Sequence, residues 1–323
     1  MANYLVTGAA GFIGARTSEF LLKDGHTVAG VDNLNETYDP RVKEYRLKGL
    51  QASPGFTFHK QDISHRSIID HFKEHQFEAV INLAARAGVR ASVKDPWAYV
   101  ETNMIGTLNM LEVCRLTGTK KFIVASTSSI YGEDPPYPTP ESASSSKPIQ
   151  PYAASKKGAE AMTHAYHHLY DIDVSVVRYF TVYGPAGRPD LSIFRFVQWI
   201  SEGRPVRVNG DGEQSRGFTY IDDIAQGTIL ALKPVGHEII NLGGHEVITI
   251  NNLIKLIEEV VGKQAIVEYG PPDPADVRSN WADVTKAGEL LGWEPRFDMR
   301  SGIEQLVEWY NAEREWASQI ETP

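Results

Sequence analysis

The sequence predicts an α/β fold: a doubly wound parallel sheet followed by a smaller mixed α/β C-terminal domain. Three observations carry that expectation. Short apolar, β-rich runs recur at residues 3–6, 27–31, 56–59, 79–83, 122–125 and 174–177. Helical patterns lie between them at 68–75, 97–116 and 152–170. After about residue 180, proline and glycine become frequent, and two late helical patterns follow at 251–261 and 301–316. Alternating strands and helices imply a parallel sheet with helices on both faces. The expected division is a first domain of residues 1–180, with 218–250 returning to it, and a second domain of 181–217 and 251–323.

The first run leads straight into Thr7-Gly8-Ala9-Ala10-Gly11-Phe12-Ile13-Gly14. Glycines where a strand turns into a helix let the backbone approach a ligand. The free N–H groups of the helix start suit a pyrophosphate. The next run ends in Asp32, followed by Asn33, where a carboxylate can bond ribose hydroxyls. The glycine spacing departs by one residue from the usual dinucleotide pattern. Strand, glycines, helix and terminal acid in one unit nevertheless make a strong dinucleotide-binding signal. The carboxyl ends of the other strands carry Asp62-Ile63, Ala84-Ala85, Ser126-Thr127 and Tyr179-Phe180-Thr181. Ligands of such sheets collect at those ends. Asp62 and Asn103 read equally well as loop polarity or local capping.

The stretch 121–156 carries the chemistry. An apolar run ends in Ser126-Thr127-Ser128-Ser129, a Pro/Ser-rich loop follows, and Tyr152-Ala-Ala-Ser-Lys156 opens a helix. Residues four apart share a helix face. A free phenol titrates near 10, and a nearby cation favours the phenolate. Tyr152 with Lys156 can therefore form a general base, with Thr127 sharing the proton. The pair alone is more often a surface Tyr and a solvated Lys; its setting changes that reading.

Composition excludes other classes. The formal charge of −9 argues against nucleic-acid binding. No apolar run approaches the ~18 residues of a membrane span, and the N-terminus does not read as a signal peptide. Cys114 stands alone, which fits the cytoplasm. His164 and His168 have the spacing of a helical metal pair but lack the accompanying glutamate and a third ligand, so no metal is expected.

Taken together, the chain resembles the extended short-chain dehydrogenases/reductases, in their nucleotide-sugar epimerase branch. The matches run nearly end to end: TGAAGFIG (7–14), NLAA (82–85), ETN (101–103), STSSIYG (126–132), YAASK (152–156), RYFTVYGP (178–185), SRGFTYIDD (215–223) and DVRSNWADVTKA (276–287). The resemblance implies that Gly8, Gly11, Phe12, Ile13, Gly14, Asp32, Asn33, Asp62, Ile63, Ala84, Ala85, Asn103, Ser126, Tyr152, Lys156 and Tyr179 surround NAD. It implies catalysis by Tyr152, Lys156 and Thr127, and contacts from Arg90, Arg188, Arg216 and Arg278 to a UDP-sugar. A homodimer through the helices at 97–116 and 152–170 is expected, as in relatives.

Dehydratases of this superfamily carry Thr-Asp-Glu at the strand end, and the UDP-glucuronate decarboxylases a glutamate two residues before the I/V-Tyr-Gly. This chain has Thr127-Ser128-Ser129-Ile130-Tyr131-Gly132, with no carboxylate at either place. Thr181, the Gly187-Arg188-Pro189-Asp190 run, Leu34-Asn-Glu-Thr-Tyr-Asp39 and Ala87-Gly-Val-Arg-Ala-Ser92 look like the UDP-glucuronate 4-epimerases. Arg86, Ala91 and Ala186 depart from that pattern. The expected reaction is C4 epimerisation through a 4-keto sugar. Ser128, Ser129 and Thr181 are the expected donors to a uronate carboxylate; the serines read alternatively as backbone caps. Epimerisation of a neutral UDP-sugar, and a non-catalytic NAD-binding scaffold, are the competing readings.

Overall fold

The computed structural model describes residues 1–272 and 278–322. The first part of the chain runs β1 (Asn3–Thr7), α1 (Phe12–Lys23), β2 (Thr27–Asp32), α2 (Pro40–Gln51), β3 (Phe56–Lys60), α3 (Ser67–Phe72), β4 (Ala79–Asn82), α4 (Val89–Lys94) and α5 (Pro96–Tyr99). A π-helical turn, Val100–Ile105, leads into α6 (Gly106–Thr117), β5 (Lys121–Thr127), α7 (Pro151–Tyr170) and β6 (Asp173–Tyr179). The second part runs β7 (Thr181–Tyr183), α8 (Ser192–Ser201), β8 (Val206–Asn209), β9 (Ser215–Tyr220), α9 (Ile221–Leu230), β10 (His237–Leu242) and β11 (Glu246–Thr249). It ends with α10 (Ile250–Val261), β12 (Val267–Gly270), β13 (Ser279–Asn280), α11 (Thr285–Leu291), α12 (Met299–Ala312) and α13 (Arg314–Ala317).

Seven parallel strands form the main sheet in the order β10-β6-β5-β4-β1-β2-β3. Alternate residues of each strand point to opposite faces, and both faces are covered. Leu5, Val80, Phe122 and Val124 join Met110 and Cys114 of α6 in one core. Val6, Ile81 and Ile123 join Phe12 of α1 and Ile224 of α9 in another, which continues into the C-terminal part. That two-sided burial is why the strands read as short apolar runs rather than as alternating ones. The order reverses between β1 and β4, the switch point where such sheets bind ligands.

A smaller sheet joins β11-β9-β13, with β7 also on β9, and β8 pairs with β12. The segment that returns to the main sheet is shorter than the expected 218–250. Residues 218–220 complete β9 and 246–249 form β11, both in the smaller sheet; α9 packs on α1 and only β10 joins the large one. Among the described residues, no helix is long and apolar enough to cross a membrane.

Candidate active site

The switch point opens into a cavity of about 1140 Å³. That exceeds the usual ~300–1,000 Å³ of a single small-ligand pocket, leaving room for two ligands end to end.

One half is built from backbone. Gly8 has φ +68°, and a side chain there would meet the Ala84 amide at 2.8 Å. A Cβ on Gly14 would stand 2.1 Å from the Gly8 carbonyl, so α1 starts this close to β1 only because the residue is glycine. Gly11 caps α1 with no side-chain hydrogen bond, and Gly11, Phe12, Ile13 and Gly14 line the cavity. Uncapped first-turn amides there suit a phosphate. Asp32 ends β2; its buried carboxylate accepts from Ala10 N (3.2 Å) and Leu34 N (2.8 Å), with Lys43 Nζ 3.5 Å away. A carboxylate has about four lone-pair sites, so capacity remains for ribose hydroxyls. Asp62 accepts from Asn33 Nδ2 (2.7 Å) and from Ser64 N and Oγ (2.9 and 2.7 Å). Burial works to raise its carboxyl, but these bonds hold it below its ordinary range. Ile63, Ala84, Ala85 and Tyr179 also line this half.

Tyr152 and Lys156, one turn apart at the start of α7, form the floor with Ser126 and Thr127. Burial raises the Tyr152 phenol, while the Thr127 hydroxyl and the Arg188 charge draw it down. Lys156, one turn further along the helix, donates its ammonium to the Ala125 carbonyl at 2.8 Å, and burial lowers it to about 8 against the opposing charge of Glu160. Beneath it, Glu160 accepts from Ser126 Oγ (2.6 Å) and from Arg178 Nε and Nη2 (2.9 and 2.8 Å). Burial favours the neutral acid, yet Arg178 and Ser126 keep Glu160 below its ordinary value. Arg178 also lies 4.9 Å over the Tyr131 ring.

The other half is built from side chains of distant segments. Ser128 and Ser129 start a 3-10 turn at the end of β5, where Thr127 accepts from Ser129 N at 3.2 Å. Thr181 begins β7. Arg188 pairs with Asp190 through two bonds of 3.0 and 2.5 Å. Buried Arg46 holds the loop that carries Arg188, donating to the carbonyls of Ala186 (2.9 and 2.5 Å), Gly187 (3.2 Å) and, in the glycine turn, Ala10 (3.2 Å). The cavity ends among Arg195, Arg204, Arg207 and Arg216, with Arg195 and Arg204 against the Trp199 ring. The acidic chain thus places four arginines at one end of one cavity, as a diphosphate would require. Among the described lining residues the acids are Asp32, Asp62 and Asp190, and none belongs to the segment that follows Thr127.

Every predicted site residue lines the cavity except Asn103 and Arg278. Asn103 is fully buried in the π-helical turn; it accepts from Arg86 N and donates to Arg86 O and Ser155 Oγ, so it anchors the 84–88 loop instead. The Arg278 side chain is exposed, while its carbonyl accepts from Ser215 N at 3.0 Å. Asp276 and Val277 of the last motif lie outside the described residues. Asn35, Thr37, Tyr38 and Lys43 also line the cavity near Asp32; the sequence reading had the first three only as part of the 34–39 resemblance, with no place at the site. Asp39 as N-cap with Pro40 in the first turn was the available signal for α2. The sequence reading also gave no role to Asn280, although that residue lies inside the 276–287 motif.

The family model for GDP-mannose 4,6-dehydratase matches residues 5–306. The chain belongs to that family, within the extended short-chain dehydrogenases/reductases and their nucleotide-sugar epimerase branch. It is 54% identical over 312 residues to the UDP-glucuronate 4-epimerase of Thermodesulfobacterium geofontis, covering 96% of each chain. The UDP-glucuronic acid 4-epimerase of Bacillus cereus, solved with UDP-glucuronic acid and NAD, superposes with a TM-score of 0.89 at 35% identity, over 96% of this chain and 99% of that one. The UDP-glucose 4-epimerase of Thermotoga maritima, solved with UDP-glucose, gives a TM-score of 0.90 at 35% identity, over 97% and 99%.

Proposed function

We infer that the chain is an NAD-dependent UDP-glucuronate 4-epimerase, interconverting UDP-glucuronate and UDP-galacturonate through a 4-keto intermediate. One observation carries the reading: the strand end that lines the cavity with Tyr152 is a row of hydroxyls, Thr127, Ser128 and Ser129, and the segment 127–132 contains no carboxylate. Elimination of water calls for an added acid and base there; oxidation, turning and reduction do not.

The glycine turn, Asp32 and Asp62 would hold NAD, which when bound supplies a reversible hydride acceptor at the sugar C4. Tyr152 takes the proton of the 4-hydroxyl, and Thr127 bonds the same oxygen and relays it. Burial works against the phenolate, so its formation depends on Thr127, Arg188, the Lys156 ammonium one turn away and the positive charge of the cofactor. Arginines at the far end hold the diphosphate while the keto sugar turns. Ser128, Ser129 and Thr181 donate to the uronate carboxylate, a role for neutral donors that an added acid would oppose.

UDP-glucuronate incubated with the enzyme should give UDP-galacturonate, identified by NMR against an authentic standard. Conversion of UDP-glucose to UDP-galactose with no action on the uronate would overturn the reading in favour of the neutral-sugar alternative, which the equally similar Thermotoga structure keeps in view.

The same reading includes a homodimer in the cytoplasm. The location rests on the one cysteine, buried Cys114. The dimer rests on apolar side chains exposed around α5 and α7, among them Trp97 (74%) and Leu169 (64%). A sedimentation mass of one chain at micromolar concentration would remove the dimer.

A further inference from the structure

Ser128 and Asn280 are 152 residues apart in the chain, yet Asn280 Nδ2 donates to Ser128 Oγ at 3.1 Å, and both line the cavity. A serine hydroxyl has one proton and two lone pairs. An amide N–H that fills one lone pair leaves the proton free for another acceptor, and the cavity is where such an acceptor would stand. Asn280 thus presents Ser128 to a ligand as a donor.

Its mounting is firm. Asn280 pairs with Arg216 in the register of β13 on β9. On one side Ser215 N donates to Arg278 O (3.0 Å) and Ser215 Oγ meets Ser279 Oγ (3.0 Å). On the other, Thr139 N donates to Trp281 O (3.0 Å) and Ala282 N to Gly244 O (3.0 Å). The donor that orients Ser128 is therefore set by the smaller sheet, next to the arginine expected at the diphosphate.

We propose that Asn280 is a specificity-determining positioning residue, fixing Ser128 as a hydrogen-bond donor to the carboxylate of the sugar. The proposal rests on the uronate reading and adds to it a residue that acts through Ser128. Its chemical purpose follows from the intermediate. A 4-keto uronate is a β-keto acid. If its carboxylate bond aligns with the carbonyl π system, the C5–C6 bond breaks and its electron pair passes to the C4 oxygen as an enolate. CO₂ then leaves, and C5 takes a proton from water, giving a 4-keto-pentose nucleotide. A carboxylate held by a fixed donor is kept out of that alignment.

The test compares Asn280→Ala and Asn280→Asp with the wild type. It reads KM for UDP-glucuronate, the inhibition constants of UDP and UDP-glucose, and the release of CO₂ and keto-pentose nucleotide. An aspartate beside Ser128 would take its proton and repel the sugar carboxylate. Asn280→Asp should therefore raise KM for UDP-glucuronate about tenfold or more, the size of a lost hydrogen bond to a charged group. Inhibition by UDP and UDP-glucose should move far less, and by-product should rise. Asn280→Ala should act in the same direction but more weakly, and should add nothing in a Ser128→Ala background. Equal weakening for all three nucleotides would overturn the proposal, because Asn280 would then serve the strand or the nucleotide. Unchanged KM and by-product would overturn it too. A wild type that forms no UDP-galacturonate would defeat the functional reading and this inference with it. That result is distinct from normal epimerisation by variants that change nothing.

Discussion

The two halves of the cavity are built on opposite plans. The half proposed for the cofactor is made of backbone: a glycine turn, an uncapped helix start and strand-end acids, drawn mainly from the first 85 residues. The half proposed for the sugar is made of side chains from β5, β7, the 184–190 loop, β9 and β13, and much of it hangs on the smaller sheet. Backbone geometry that only glycine allows tolerates little change, whereas a half built from separate side chains can be altered one residue at a time. Arg46 ties the halves together, reaching Ala10 in one and Ala186 in the other.

If the halves divide the work in this way, chemistry can be lost without losing the cofactor. Tyr152→Phe removes one oxygen at the seam and leaves both halves standing. Turnover should fall by about 10²–10⁴, the range of a general acid–base group, while NAD stays with the purified protein, read from its absorbance after denaturation. Retained turnover would refute the assignment of Tyr152 as the base, and loss of NAD would show that the halves are not separable there.

The same contrast explains what the sequence disclosed. The gathering of Gly8, Gly11, Gly14 and Asp32 at one cavity was legible because its determinants are local: the glycines sit in one turn, and Asp32 ends the next strand. Most of the fold was legible for the same reason, since strands buried on both faces appear as apolar runs. The boundaries of the returning segment were not, because membership of β9 and β11 in one sheet or another is set by pairing across the chain. Asn103 fits the family pattern but is used up by Arg86 and Ser155. Asn280 reaches Ser128 only after the smaller sheet has formed. Glu160 was within reach, since it stands four residues after Lys156 on the same helix.

Glu160 gives the smaller effect on turnover and the sharper test of how the seam is tuned. Its charge supports the Lys156 ammonium, which burial has already lowered to about 8. Glu160→Gln removes that support, so Lys156 should lose its proton at still lower pH. The alkaline limb of kcat/KM should then move toward neutrality, with little change at pH 6.5. Stability has its own signature. Folded Lys156 titrates below its unfolded value near 10.4, so between the two the unfolded chain binds more protons. Stability therefore rises with pH from about 8 through that window as the buried charge is relieved, and in Glu160→Gln the rise should begin at lower pH. The substitution also strands Arg178, whose buried partner is Glu160. It should cost about 3–5 kcal/mol in urea unfolding, as expected when one member of a buried pair is removed. An alkaline limb that stays in place while stability falls would assign Glu160 to Arg178 alone and leave Lys156 governed by burial and the Ala125 carbonyl.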